Sequence, residues 1–148
     1  MEINVRRATP SDVDVLVPLV RSYRVFYGQS PDDAGERRFM TKHLRDGSSA
    51  LFFASGDGKA LGFIQIFETW STVRLAPVLI VEDLFVEPEH RMHGIARLLI
   101  HTAVAYARES GAAAMFLETP AENERAQDVY EREGWQRERA LVKYNAPL

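Results

Sequence analysis

Two adjacent carboxylates, Glu82 and Asp83, stand inside a long apolar run that extends from Val73 to Val86. Such a run, rich in β-branched residues, predicts a buried strand, where a carboxylate is costly unless it is paired or has a chemical task. In a cleft, a carboxylate can act as a general base or hold a cation. Strict alternation lets only one of the two face a given cleft, unless a bulge re-aims the chain. The apolar neighbours on both sides disfavour the alternative, a solvated pair at an exposed strand end.

A short basic loop, residues 91–96 (R-M-H-G-I-A), follows this strand, and the apolar positions after it recur at helical spacing up to Tyr106. A loop that opens a helix can bind a phosphate, because the first N–H groups of the helix are free and the helix dipole favours negative charge. One glycine in a basic loop is equally consistent with an ordinary strand-to-helix connection. Neither the G-x-G-x-x-G motif of dinucleotide folds nor the P-loop motif is present.

A third group of candidate residues lies downstream on a predicted helix. Asn123 and Tyr130 are two helical turns apart and therefore share a face, and the small Ala126 between them leaves room for a ligand. By itself, Tyr130 is more simply read as a core aromatic of an amphipathic helix.

Composition excludes several classes of function. The chain has 148 residues with 46% hydrophobic and 26% charged residues, which fits one globular domain. The net charge of −3 gives no attraction to nucleic acid or to anionic membranes, and no run approaches the ~20 apolar residues of a membrane span. Cysteine is absent, and the pair His90 and His93 lacks a third ligand, so no metal site is predicted. With no signal-peptide pattern at Met1–Arg7, a cytoplasmic protein is expected.

Periodicity and turn signals predict one α/β domain over residues 1–148 with a mixed sheet. The predicted order is β-α-α-β-β-β-α-β-α-β(-β). Its segments are a strand at Ile3–Arg7, helices that start at Thr9 and Ser30, strands at Ala50–Ala54, Leu61–Trp70 and Val73–Val86, a helix to Ser110, a strand at Ala112–Thr119, a helix at Pro120–Glu133, and a final strand or strand pair at Trp135–Tyr144.

These motifs resemble those of the GNAT superfamily of acetyl-CoA-dependent N-acetyltransferases. The pyrophosphate loop of that family, Arg/Gln-x-x-Gly-x-Gly/Ala, is matched after the fourth strand by Arg91, Gly94 and Ala96. A later Asn-x-x-Ala-x-x-x-Tyr pattern, followed by glycine and an aromatic residue, is matched by Asn123, Ala126, Tyr130, Gly134 and Trp135. The strand V-E-D-L-F-V is similar to the corresponding strand of the diamine and polyamine acetyltransferases.

The resemblance implies a sheet of six to seven strands, splayed between strands 4 and 5, and a binding site for acetyl-CoA. The backbone of the fourth strand would pair with the pantetheine arm, and the loop would cradle the pyrophosphate. The implied cofactor-binding residues are Leu84, Phe85, Val86, Arg91, Met92, His93, Gly94, Ile95, Ala96, Arg97, Asn123, Ala126 and Tyr130. Met92 departs from the family pattern, since many members have glycine there, and its side chain could crowd the phosphate if the position requires a positive φ.

The resemblance also implies catalytic roles. An alkylamine with a pKa of ~10.4 must lose a proton before it attacks the thioester. Glu82 is the first choice for that base and Asp83 would hold the cationic substrate, although Asp83 or a water chain are open alternatives. Tyr130 would protonate or hydrogen-bond the departing thiolate. Tyr27, at the end of the first helix, is a candidate for substrate binding through cation–π contacts.

The function implied is transfer of an acetyl group from acetyl-CoA to a primary amine of a small molecule, either a polyamine, a diamine or an amino-acid-like compound. The alternatives are a protein lysine or N-terminal acetyltransferase and a non-catalytic acyl-CoA-binding sensor. The resemblance to the family implies a homodimer. No nucleic-acid or membrane partner is expected.

Overall fold

A five-stranded sheet forms the frame of the first of two units into which the contacts of the chain divide, Met1–Glu118 and Thr119–Leu148. The structure, a computed structural model, describes residues 1–148. In the sheet the strands lie in sequence order: β1 (Asn4–Arg7), β2 (Ser49–Gly56), β3 (Lys59–Ser71), β4 (Ala76–Val86) and β5 (Ala114–Leu117). The pairs from β1 to β4 are antiparallel, and β4 and β5 are parallel.

Three helices of the first unit pack on this sheet: α1 (Val13–Phe26), α2 (Asp33–Asp46) and α3 (Ile95–Glu109). A short 3-10 turn, Pro10–Asp12, leads into α1. The side chain of Asp32 caps α2, because it accepts a hydrogen bond from the N–H of Gly35 at 3.0 Å. The sequence signals at Thr9 and Ser30 thus correctly mark both helix starts to within a few residues.

The apolar core lies on both faces of the sheet. Leu16, Leu19 and Met40 from α1 and α2 pack with Phe53 and Phe63 on one face. Neighbouring strand residues point the other way, so α3 covers the opposite face, where the rings of Phe52 and Tyr106 are 5.5 Å apart. None of the helices combines the length and the apolar character needed to cross a membrane.

The pairing between β4 and β5 ends before β4 does. The last parallel pair is Val81 with Leu117, and β4 continues from there to Val86. The backbone of residues 82–86 therefore has β3 on one side and no strand on the other, which is the splay predicted between the fourth and fifth strands.

The predicted count of six to seven strands is corrected to five. The segment Trp135–Tyr144, expected to supply the last strand or strand pair, has no regular secondary structure. Its apolar residues Leu141 and Val142 are adjacent and are 74% and 77% exposed. Adjacent residues of a strand point to opposite faces, so this segment offers no single apolar face to bury.

The second unit contains one helix, α4 (Glu124–Arg132). It begins at Glu124 rather than at Pro120, because Asn123 is its N-cap: the side-chain oxygen accepts from the N–H of Ala126 at 3.2 Å. Gly134, with φ of 89°, follows the end of the helix, as predicted.

The end of β4 depends on a glycine in β3. A Cβ atom at Gly62 would lie 2.8 Å from the carbonyl oxygen of Phe85, closer than side chains approach backbone. Gly62→Ala should therefore push β3 and β4 apart locally and lower the free energy of unfolding by ~1–3 kcal/mol in urea titrations. Lys59→Ala, at an exposed position of the same strand, is the control, and equal stability of the two variants would contradict the prediction.

Candidate active site

A β-bulge in β4 places one of the two carboxylates on the α1/α2 face of the sheet. The adjacent β3 residues Gln65 and Ile66 pair with Asp83 and Val81, so Glu82 has no residue opposite it. Paired residues share a face, and Gln65 and Ile66 point to opposite faces. Strict alternation would place Val81 and Asp83 on the same side, but the extra residue separates them. The bulge that the sequence left open as an exception to strict alternation is therefore present.

Asp83 is held by a chain of hydrogen bonds. The side-chain nitrogen Nε2 of Gln65 donates to Oδ2 of Asp83 at 2.9 Å. The hydroxyl of Ser49 donates to the other end of the Gln65 amide at 3.0 Å, and the hydroxyl of Tyr23 also bonds to Asp83. Gln65 and Ser49 are only 3% and 6% exposed. Since the amide of Gln65 is engaged at both ends, it fixes the position of the carboxylate.

Burial raises the pKa of the half-buried Asp83 above that of an ordinary aspartate, and the hydrogen bonds from Gln65 and Tyr23 oppose this rise only in part. Both bonds come from neutral groups, and no basic side chain contributes to the balance. A desolvated carboxylate without a counter-ion gains from a cation beside it and is a better proton acceptor than an exposed one.

Asp83 lines a cavity of about 340 Å³ between α1, α2 and the sheet. This volume lies in the usual range of small-molecule sites. Gln65 and Tyr23 line it beside Asp83, and the apolar part of the lining consists of Val20, Phe39, Met40 and Phe63. The arrangement can hold a small cationic molecule with an apolar body.

A buried carboxylate, Glu36, joins α1 to α2 at this cavity. It is 3% exposed, and it accepts from Arg21 at 3.0 Å, from Arg24 at 2.8 Å and from the N–H of Asp32 at 3.2 Å. Burial alone would raise the pKa of Glu36, but these bonds outweigh it and lower the pKa. Both carboxylate oxygens are satisfied, so Glu36 is a structural link and not a free base.

The loop after β4 presents backbone N–H groups at the start of α3. The first backbone bond there runs from Leu98 to the carbonyl of Gly94 at 3.1 Å, and the N–H groups of Ile95 and Ala96 have no carbonyl acceptor. Met92 and Gly94 both have positive φ values, 66° and 79°. The position of Met92 thus does require the conformation for which family members have glycine.

Arg91 fastens this loop to the end of β4. Its Nε donates to the carbonyl of Val86 at 2.9 Å, and its guanidinium lies 5.4 Å from the ring centres of both Phe26 and Phe85. The side-chain Nδ1 of His93 lies 3.3 Å from the carbonyl oxygen of His90. Arg97 is in the first turn of α3.

The predicted site residues fall in both units. Residues 82–97 belong to the first unit, whereas Asn123, Ala126 and Tyr130 belong to the second. There Asn123 and Ala126 form the cap of α4, and the ring of Tyr130 lies 6.0 Å from that of Trp135. The cap role of Asn123 was missed, although an asparagine before an amphipathic segment is a recognised helix-start signal.

The structure places Tyr23, rather than Tyr27, at the cavity. Tyr27 is 49% exposed, and its ring packs edge-on against Tyr23 at 5.1 Å. Its role in substrate binding stays a prediction. Gln65 and Arg24 were missed as site residues. Gln65 carries a signal, since it is a lone polar residue within an apolar strand.

Comparisons with known proteins agree on one family. The model of the Acetyltransferase (GNAT) family matches residues 16–135. The chain is 34% identical over 142 residues to an uncharacterized N-acetyltransferase, YhfO, of Bacillus subtilis strain 168, covering 96% of this chain and 95% of that protein. It is 31% identical over 121 residues to an aminoglycoside N(6′)-acetyltransferase type 1 of Salmonella typhimurium strain LT2, covering 77% and 80% of the two chains. A crystal structure of a probable acetyltransferase superposes with a TM-score of 0.91 at 34% identity, over 98% of this chain and 97% of the other.

The raised pKa of Asp83 predicts a stability that depends on pH. Folding favours the protonated form of this group, so its contribution to stability is fully present below the unfolded-state pKa of ~3.9 and is lost as the pH rises through the higher folded-state pKa. Asparagine cannot ionise, so Asp83→Asn should gain stability relative to the wild type between pH 4 and pH 8 in urea titrations. Asp57→Asn, in an exposed turn, is the control for the substitution itself. A relative stability of Asp83→Asn that falls over this range would refute the prediction.

Met92 is 85% exposed and has a φ of 66°, a conformation that costs a residue with a Cβ ~1 kcal/mol or more. Met92→Gly should remove this cost, which the greater freedom of glycine in the unfolded chain offsets in part. We expect Met92→Gly to be more stable than Met92→Ala by a few tenths of a kcal/mol or more, measured by denaturant titration. An alanine variant of greater stability would show that the loop is not strained at this residue.

Proposed function

Because the chain belongs to the acetyltransferase (GNAT) family of acetyl-CoA-dependent N-acetyltransferases, we propose that it acetylates a primary amine of a small molecule by direct attack in a ternary complex. The acceptor is a polyamine, a diamine or an amino-acid-like compound. The observation that carries this proposal is the half-buried carboxylate of Asp83, which lines a cavity of about 340 Å³ and has no counter-ion. A carboxylate in this setting favours a protonated amine as its partner.

The cofactor is assigned to the loop after β4 and to the open edge of that strand. Two positive φ values, at Met92 and Gly94, bend the backbone so that successive N–H groups can converge on a pyrophosphate. Residues Met92–Arg97 supply these groups, and Arg91 adds positive charge. The unpaired edge at Leu84–Val86 suits the peptide-like pantetheine arm, which can hydrogen-bond to it as a strand would.

The two carboxylates of β4 divide the work on the amine. Asp83 holds the ammonium group at the cavity, because a cation beside it stabilises this desolvated carboxylate. Glu82, exposed at the bulge one residue earlier, takes the proton directly or through water. The free amine then attacks the thioester carbonyl, the C–S bond breaks, and the acetyl amide and the thiolate form.

In the second unit, Tyr130 is assigned as the group that gives a proton or hydrogen bond to the departing thiolate. Asn123 and Ala126, which cap the same helix, are assigned to the cofactor. A single N-acetyltransferase domain over residues 1–148 and a homodimer stay predictions of this proposal.

The proposal is tested by measuring CoA release from acetyl-CoA over a panel of polyamines, diamines, amino acids, aminoglycosides and peptides. Turnover of at least one small primary amine is expected. Tyr130→Phe should lower kcat by about 10²- to 10⁴-fold and leave the Kd for acetyl-CoA nearly unchanged. Tyr144→Phe is the control, since Tyr144 lies in the same unit and is 89% exposed. A folded protein that binds acetyl-CoA but acetylates no primary amine would refute the function, and a loss of affinity alone in Tyr130→Phe would refute the role of that residue.

A further inference from the structure

The cavity that contains Asp83 also contains a cation with an open hydrogen-bonding edge. Arg24, from α1, lines it. Only one of its nitrogens is engaged: Nη1 donates to the carbonyl of Ser30 and to Oε2 of Glu36, both at 2.8 Å. Nε and Nη2 make no hydrogen bond, and together they form the side of a guanidinium that binds a carboxylate through two parallel bonds.

Several charges around this cavity are already paired. Arg21, Arg24 and Arg37 form ion pairs with three carboxylates, Glu36, Asp33 and Asp14. Asp32 also lines the cavity, but its side chain is engaged in capping α2. The lining carboxylates without an ion pair are thus the exposed Asp32 and the half-buried Asp83, and Arg24 is the lining cation with unused donors.

This pair of charges discriminates between classes of amine. A polyamine or an aminoglycoside brings several cations and no anion, so a cation beyond those at Asp83 and Asp32 finds no carboxylate in the lining without an ion pair and is repelled by Arg24. An amine without an acid group leaves the open edge of Arg24 unused. A zwitterion satisfies both groups at once, with its ammonium at Asp83 and its carboxylate at Arg24.

The remaining residues that line the cavity indicate the polarity of the rest of the acceptor molecule. Phe39 and Phe63, with Val20 and Met40, supply apolar surface. Gln65 uses its amide on Ser49 and Asp83, so it offers little to a polar side chain. We propose that the acceptor is an amino acid with an apolar side chain, whose carboxylate is bound by Arg24. This inference rests on the proposed acetylation of an amine beside Asp83.

The reaction leaves the carboxylate of the acceptor intact. The base takes one proton from the ammonium group, and the nitrogen then forms a bond to the acetyl carbon as the C–S bond breaks. A second proton leaves the nitrogen as the amide forms, and it balances the proton that the thiolate takes up. The products are an N-acetyl amino acid, CoA and one released proton. The contact between Arg24 and this carboxylate contributes only to the orientation and affinity of the acceptor. Loss of the contact should therefore raise KM and lower kcat/KM.

The first test uses the wild-type protein and pairs of acceptors that differ only in the carboxylate. Phenylalanine is compared with its amide and with phenethylamine, and leucine with its amide and with 3-methylbutylamine, by CoA release. A charge-assisted bidentate contact is expected to raise kcat/KM for the amino acid by about 10- to 100-fold. Turnover of the amines or of polyamines at an equal or higher kcat/KM would overturn this inference and leave the proposed function standing. Turnover of no primary amine would overturn both.

A variant tests the assignment to Arg24 itself. Arg24→Lys keeps a cation beside Glu36 but lacks the guanidinium fork, so kcat/KM should fall about tenfold or more for the amino acid and about twofold or less for the matching amine. Arg38→Lys, an exposed arginine of α2, is the control for folding and charge. An equal fall for both acceptors would show that Arg24 acts only through the packing of α1 on α2, and would overturn its assignment.

Discussion

The partly buried hydrogen bond from Gln65 to Asp83 depends on one extra residue in β4. Because Glu82 bulges out of the pairing with β3, Asp83 stands opposite Gln65 and faces the cavity under α1 and α2. With regular pairing, Asp83 would share the face of Val81, on the side of α3, where it would meet apolar packing. A bulge costs local pairing, and a half-buried carboxylate costs desolvation. Both costs arise at the same residues of the sheet, and such unfavourable local features are common at functional sites.

A second constraint acts from the helices. Glu36 is buried and forms ion pairs with Arg21 and Arg24 of α1, so it joins the two helices beside the cavity. This arrangement uses one nitrogen of Arg24 and leaves the other side of its guanidinium open. The same residue therefore contributes to the packing of the helices and, in the proposed reaction, to recognition of the acceptor.

The cofactor side of the proposed site is built mostly from backbone. The splay after Val81 and Leu117 leaves one edge of β4 unpaired, and the positive φ values of Met92 and Gly94 shape the loop before α3. Backbone groups need no particular side chain, so the loop keeps its shape even though Met92 occupies a position that favours glycine. Arg91 secures the loop to β4 through the carbonyl of Val86 and the rings of Phe26 and Phe85.

The sequence by itself determined the element types, their order up to α4 and the family, because periodicity, turn residues and the two motifs are local patterns. It did not determine whether Trp135–Tyr144 is a strand, since a strand exists only through the partner with which it pairs. Nor did it decide which carboxylate faces the cavity, since it left both regular alternation and a bulge open. That choice belongs to the tertiary structure, and so does the placement of Arg24 and Asp83 in the lining of one cavity. Both depend on the register of β3 against β4 and on how α1 packs on the sheet, which bring together residues far apart in the chain.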